Sequence, residues 1–273
     1  MKYIPLINNI LRSEVDPAFE KRARFILEHI VKEKPKRILE VGCGRGFYIK
    51  SVSLFDFPEE IIGIDVNKKY LDAARQLNKT DKRVALKKGS IYELPYPNNY
   101  FDCIICSEVL EHLDDDLAGA KELQRVLKPK GIALFSVPNK TFPFLWDPLN
   151  KILMLFGTHV PKHIWWLAGI WADHERLYTP EEFQSVLHKA GFTTSRVKKV
   201  VHWSWPLSHF VLYGIGKNLV ERAGAKSFDR FNFKQAKPLS SVLAFFMAIP
   251  SKVLDRRLPS KASVNLAIAA KKK

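Results

Sequence analysis

Arg37–Tyr48, RILEVGCGRGFY, decides the fold of this chain. Ile38, Leu39 and Val41 form a short apolar run that leads into glycines at alternate positions, Gly42, Gly44 and Gly46. This pattern reads as a buried strand entering a tight turn. Glycine has no Cβ and tolerates positive φ, so a ligand can lie against the backbone there. The residues after Gly46 read as a helix whose first N–H groups face the same ligand. Many α/β proteins carry such a turn as a plain connection. Two carboxylates sharpen the reading: Glu40 just before the glycines, and Asp65 at the end of the next apolar run.

The flanking sequence alternates helix and strand patterns. Phe19, Ala23, Ile26, Leu27 and Ile30 recur at helical spacing, which predicts a packing helix over 13–33, ended by Pro35. Strands are predicted at 37–41, 60–65, 83–87, 101–106 and 131–137, with helices after the first, second and fourth. Thr179, Pro180 and Glu182 make a helix start and Gly191 a stop. Strands six and seven follow at 192–201 and 263–270. The alternation predicts an α/β fold: a doubly wound, Rossmann-like, seven-stranded, mostly parallel sheet with right-handed crossovers. Two stretches break the pattern: a cap insertion after strand five, 138–178, and a second insertion before the last strand, 203–260. Residues 1–202 with 261–273 therefore form the ligand-binding domain, and 203–260 is a basic amphipathic insertion. In such sheets ligands lie at the carboxyl ends of the strands. Gly42–Gly46, Asp65, Ser90 and Ser107 all fall at those ends.

The formal charge of +16 over 273 residues is unevenly spread. Residues 1–136 carry 23 Lys and Arg against 20 Asp and Glu, whereas residues 137–273 carry 21 against 8. All six tryptophans, Trp146, Trp165, Trp166, Trp171, Trp203 and Trp205, lie in the second half. That half suits a surface or substrate that is anionic, greasy or both. The plainer reading is a core-packed lid with the lysines as its solvated face. Three cysteines, an odd number, argue against a disulfide framework and suit a reducing compartment. Cys103 and Cys106 are three apart in a predicted strand and so face opposite ways, which disfavours a redox or zinc pair. The N-terminal MKYIPLINNI has no cleavage signature, and no run of about 18 apolar residues occurs. The expected location is cytoplasmic, peripheral at the inner membrane face.

A carboxylate at Asp65 can accept hydrogen bonds from both hydroxyls of a ribose, as in dinucleotide sites and S-adenosylmethionine sites. A dinucleotide fingerprint, GxGxxG, needs glycine at position 47, where Phe47 stands. The actual pattern is ExGxGxG, and an acid beside the glycines suits a cofactor with an ammonium and no pyrophosphate. Here the chain resembles the class I S-adenosylmethionine-dependent methyltransferases, in particular the branch with ubiquinone and menaquinone biosynthesis enzymes. The resemblance rests on ILEVGCGRG, GIDVNKKYLDAAR, GSIYELPYPNNYFDCIICSEVLEHLDD, ELQRVLKPKGIALFSVPN and RLYTPEEFQSVLHKAGF, together spanning residues 37–193. It does not reach the insertion at 203–260. The resemblance implies that Glu40, Gly42, Gly44 and Gly46 line the methionine end of S-adenosyl-L-methionine. It implies that Asp65 holds the ribose, Val66 lies against the adenine, Ser90 and Ile91 hold the adenine edge, and Ser107 faces the sulfonium. Ser90 replaces an aspartate more usual in the family, so its contact to the adenine amino group is expected to be weaker. The plainer roles are a salt bridge for Glu40 and a helix cap for Asp65.

Methyl transfer to an activated sulfonium depends mainly on positioning, with a base where the acceptor is a hydroxyl or amine. Glu108, Glu111 and His112 have spacings that share one face of a helical turn, with His112 as candidate base and capping or packing as the plainer role. The resemblance also extends to quinone O-methyltransferases with a similar ExxEH run that use a divalent metal; His174 is offered as a further ligand or active-site histidine, against a plain loop role. Nucleic acid is not the expected partner: the place after strand four reads SEVL, not Asn/Asp-Pro-Pro-aromatic, and Cys106 lacks a nucleophile's loop. The expected activity is methylation of a hydrophobic or lipid-linked small molecule. The alternatives are a soluble metabolite, or a non-catalytic binding module at membrane or RNA.

Overall fold

The computed structural model describes residues 2–164, 167–212, 230–231, 238–258 and 260–273. Seven strands form one sheet, β1 (Arg37–Val41), β2 (Glu60–Asp65), β3 (Val84–Lys88), β4 (Phe101–Ser107), β5 (Leu127–Pro138), β6 (Phe192–Val200) and β7 (Asn265–Lys272). Their order is β3-β2-β1-β4-β5-β7-β6. The first five pair in parallel, whereas β7 runs antiparallel to both β5 and β6. The predicted strands are all present, with bounds that differ by up to a few residues; β5 begins earlier than expected, at Leu127.

Eight α-helices are described: α1 (Ile4–Leu11), α2 (Pro17–Glu33), α3 (Phe47–Ser53), α4 (Lys68–Asn78), α5 (Asp116–Val126), α6 (Pro148–Leu153), α7 (Pro180–Lys189) and α8 (Pro238–Arg257). Sequence reading did not foresee α1, an eight-residue helix with Pro5 in its first turn, where proline is tolerated. Helix α2 starts at Pro17, and the Asp16 carboxylate accepts from the Ala18 N–H as its cap. Helix α7 carries the full capping box: Thr179 accepts from the Glu182 N–H, and Glu182 accepts from the Thr179 N–H.

Both faces of the sheet are covered. One core joins Ile38, Ile61, Cys103, Ile105 and Leu134 to α1, α2 and α3. The other joins Leu39, Ile62, Ile104, Cys106 and Phe135 to α5 and α7. Cys103 and Cys106 thus lie on opposite faces, as strand geometry requires. Both are buried and free, as is Cys43.

A third, smaller core holds the cap to the end of the sheet through Phe142, Trp146, Ile170, Leu177, Val201 and Val264. Its polar anchor is the buried Asp147. That carboxylate accepts from the Asn150 N–H, the Asn150 amide and the Ile170 N–H. Gly169 is required beside it, because φ is +61° and a Cβ would stand 1.9 Å from Asp147 Oδ2.

The register places both insertions on one edge. Pro138, Val200 and Asn265 align across β5, β6 and β7, so the cap leaves, and the second insertion leaves and returns, at the carboxyl end of the parallel strands. Within the second insertion the stretch LSSVLAFFMAIP lies in α8, and most of HFVLYGIGKNLV falls outside the described residues, as do Trp165 and Trp166. Arg230 pairs with Glu14 at 3.1 Å and stacks on Phe19, while Phe231 meets Phe47 edge-on. Among the described residues, no helix is long and apolar enough to cross a membrane.

Candidate active site

The glycine turn is tied to the next strand by backbone. The N–H groups of Gly42 and Cys43 both donate to the Ile64 carbonyl, at 2.8 and 3.1 Å. Gly42 has φ +69°, and a Cβ there would sit 2.4 Å from Val109 Cγ2, so the turn passes hard against the segment after β4. At Gly44 a Cβ would meet nothing within 4 Å, which leaves that stretch of backbone open to a ligand. Gly46 caps α3 in the left-handed region.

Asp65 joins this loop to β2. Its Oδ2 accepts from the Gly44 N–H at 2.7 Å and its Oδ1 from the Asn67 N–H at 2.8 Å. The cap of α4 is Asn67, whose side chain accepts from Lys69 and Tyr70. Glu40 is buried beneath the loop, and its Oε2 accepts from the Ile49 N–H in the first turn of α3. Burial raises the Glu40 pKa well above the usual carboxylate range. Val66 is exposed at the end of β2, and Ile91 is buried. The Ser90 hydroxyl accepts from the Tyr92 N–H at 3.2 Å, which fixes the turn after β3.

At the end of β4 begins a polar chain. Ser107 Oγ lies 2.8 Å from Ser136 Oγ and 3.4 Å from the Tyr48 hydroxyl. Ser136 donates to Glu108 Oε1, and Glu108 Oε2 accepts from the Asn265 amide at 2.9 Å and faces Arg22 at 3.7 Å. The chain draws on α2, α3, β4, β5 and β7. Burial pushes the Tyr48 phenol up to about 12, so its hydroxyl stays protonated.

The Glu108, Glu111 and His112 trio departs from the single helical face expected for it. Only Leu110–His112 form a turn, a 3-10 helix, and Glu108 precedes it with φ +57°. That left-handed residue turns Glu108 toward Asn265, while Glu111 sits on the other side of the turn between two histidines. His112 and His174 have ring centroids 4.8 Å apart, and each Nε2 lies 3.9 Å from Glu111 Oε1. The His112 Nδ1 donates to the Asp173 carbonyl and the His174 Nδ1 to the Ile170 carbonyl. A carbonyl only accepts, so both Nε2 atoms carry the lone pair in the neutral rings. Glu111 is fully buried, with neither oxygen hydrogen-bonded, and burial followed by Glu108 raises its pKa well above normal. Burial, then His112, lowers the pKa of His174 below that of a free histidine. The Glu175 and Arg176 N–H groups donate to the Glu111 carbonyl, which ties the cap to this turn.

His174 lines a cavity of about 270 Å³ between the cap and the sheet end, whereas His112 stands outside it, on the more exposed side of Glu111. Glu108, Arg22 and Asn265 line the cavity too, as do Trp146, Ile170 and His209. The fold thus brings Gly44 and Asp65 into contact and pairs His112 with His174. Sequence reading missed Arg22, Tyr48, Ser136, Asn265, Trp146 and His209. All but Tyr48 lie far in sequence from the glycine turn, and Tyr48 reaches the site only because α3 sets its hydroxyl beside Ser107.

Comparison with known proteins agrees with this fold. Residues 39–135 match the family model described as a methyltransferase domain. A demethylmenaquinone methyltransferase of Staphylococcus aureus is 30% identical over 200 residues, covering 70% of this chain and 81% of that one. An uncharacterised methyltransferase of Schizosaccharomyces pombe is 34% identical over 120 residues, 41% of this chain and 42% of its own length. Among solved structures, the [4+2]-cyclase SpnF superposes with a TM-score of 0.58 at 20% identity, over 95% of this chain and 85% of that one. A putative methyltransferase of Bacillus halodurans gives 0.56 at 16% identity, over 92% and 98%. The fold and these relatives define an α/β methyltransferase. The chain belongs to the class I S-adenosylmethionine-dependent methyltransferases.

Proposed function

We propose that this enzyme methylates a hydrophobic or lipid-linked small molecule at the cytoplasmic face of a membrane. The observation that carries the reading is the cavity beneath the cap, with aromatic and aliphatic walls from Trp146 and Ile170 and a polar end at His174, Glu108 and Arg22. A flat ring with oxygen substituents fits this mixture. The staphylococcal relative's name, a demethylmenaquinone methyltransferase, supports an acceptor of that kind.

The residues of the glycine turn fit the cofactor, since Gly44 is open and Asp65 stands at its edge. We assign Asp65 to the ribose, Val66, Ser90 and Ile91 to the adenine, Gly42, Gly44 and Gly46 to the methionine end, and Ser107 to the sulfonium side. Glu40 acts from beneath by holding α3 to the loop. When bound, the cofactor supplies an activated methyl group. The cap and the β5–β7 edge hold the acceptor in line and exclude water. The His174 Nε2 lone pair receives the proton of an acceptor hydroxyl, and the Ile170 carbonyl, bonded to Nδ1, orients that ring.

One observation favours a second reading of the histidines. Two Nε2 atoms and the unpartnered Glu111 carboxylate have donor atoms within 4.8 Å of one another, and both Nδ1 atoms are fixed by carbonyls. Glu111, His112 and His174 would thus hold a divalent cation, which would acidify the acceptor hydroxyl.

The test is transfer of a labelled methyl group into fractionated cell extract, with the enzyme used before and after dialysis against a chelator. Label in the lipid-extractable fraction is expected, with kcat lowered about 100-fold or more in His174→Ala. Label confined to the aqueous metabolites would overturn the hydrophobic acceptor. Activity that survives chelation supports His174 as a base, and activity lost and restored by a divalent cation supports the metal.

A further inference from the structure

Helix α8 is inverted for a helix lying on a soluble protein. Ser240, Ala244, Pro250 and Ser251 are its buried residues, while Leu239, Val242, Phe245 and Phe246 face outward and are exposed. A helix packed on a core turns its apolar stripe inward. Here serine, alanine and proline take the fully buried positions, Met247, Ile249 and Leu254 are half-buried, and the other large apolar side chains stay exposed. Residues 238–251 contain no charged side chain; Lys237 precedes them in the sequence and Lys252 follows.

The apolar surface continues into the cap. Leu155 and Phe156 are 82% and 79% exposed, at the end of the turn that follows α6. The segment 205–211 links the two. Trp205 donates its indole N–H to the Phe246 carbonyl in α8, and the Leu207 N–H donates to the Leu145 carbonyl in the cap. Leu145, Trp205 and Leu207 are themselves exposed. Of the 20 large apolar side chains exposed among the described residues, 14 belong to 144–156, 205–211 and α8. Scattered exposed apolar residues need no explanation, but a concentration on hydrogen-bonded neighbours does.

We propose that this surface docks on an anionic lipid bilayer, with Leu155 and Phe156 and the outer face of α8 entering the acyl boundary. The proposal rests on the membrane-facing reading above and names the surface that achieves it. Charge selects the occupant. Residues 203–260, the insertion that carries α8, hold 9 Lys and Arg against 3 Asp and Glu, which complements anionic headgroups. A second copy of the chain would set the same excess of positive charge against itself. The surface also adjoins the acceptor cavity: exposed Leu145 and Leu207 lie next to Trp146 and His209, which line it, and the His209 N–H donates to the Trp146 carbonyl. A docked bilayer would meet the cap beside the cavity, so a lipid-borne ring has a short path inward.

The experiment is co-sedimentation of the full chain with vesicles of phosphatidylcholine alone or mixed with phosphatidylglycerol, at low and high salt. Binding to the anionic vesicles is expected, with part of it surviving high salt because apolar side chains insert. The double variants Leu155→Ser/Phe156→Ser and Phe245→Ser/Phe246→Ser should each weaken binding roughly tenfold or more. Both should keep the wild-type melting shift with S-adenosylhomocysteine, which reports an intact fold. The proposal is overturned by absence of sedimentation with either vesicle, by binding abolished by salt and indifferent to both variants, or by a wild-type dimer that both variants abolish. Transfer to lipid extract in detergent, without vesicle binding, would sink this surface and leave the acceptor reading standing. Vesicle binding with label only in aqueous metabolites would do the reverse.

Discussion

Asp65 uses one oxygen on the Gly44 N–H and the other on the Asn67 N–H, so its carboxylate is aimed before any ligand arrives. Each oxygen keeps a second lone pair for a ribose hydroxyl. Asp65→Ala removes both the hydrogen-bond acceptor and the strut of the glycine loop. We expect cofactor affinity to fall by at least about tenfold, read by calorimetry, since a charge-assisted hydrogen bond contributes about 1.5–3 kcal/mol. Unchanged affinity would remove Asp65 from the ribose site. Glu40 works differently: its carboxylate is buried under the loop and bonded to Ile49, so its substitution should act through the position of α3.

Helix α7 shows how local sequence specifies an element. Thr179, Pro180 and Glu182 announce its start, and each does in the fold what its type predicts. Thr179→Ala should cost about 1 kcal/mol, seen as a melting temperature a few degrees lower, with cofactor affinity unchanged. A fall in affinity instead would mean that α7 helps position the site. The sheet and helices were legible in this way because period and punctuation are local signals. The Glu108–His112 stretch was not, since a spacing of three and four presumes a regular helix, and the left-handed Glu108 breaks it. Nor did α2 advertise its part: among its many charges, nothing local marks Arg22 as the buried one beside Asn265. The glycine turn and Asp65 were readable as a unit. The cavity was not, because its walls come from segments as distant as α2, the cap and β7.

At the scale of the whole molecule, the glycine loop, α3 and the end of β2 form one hydrogen-bonded unit on the parallel half of the sheet, and the cap closes the other half. Ligand binding to the native state alone stabilises it by mass action. At a hundredfold excess of S-adenosylhomocysteine over its Kd, the gain should be about 2.7 kcal/mol, visible as a raised melting temperature. A melting temperature that does not move would show that the loop does not bind the cofactor in the folded enzyme. The two insertions, which leave from the same end of the sheet, need not respond equally. The cap is tied to Glu111 through the Glu175 and Arg176 N–H groups, whereas α8 turns its buried face to the protein with serine, alanine and proline.

Strand β7 has a consequence in time. It is the last strand of the sequence to be synthesised, yet it lies between β5 and β6 and contributes Asn265 to the polar chain at Glu108. A nascent chain can pair β1 to β5 and bury most of both cores while β6 still lacks its neighbour. The polar chain at Glu108 is therefore completed only after β7 has been synthesised. Until then the far edge of β5 offers unpaired backbone, a site that chaperones or misfolding partners can reach.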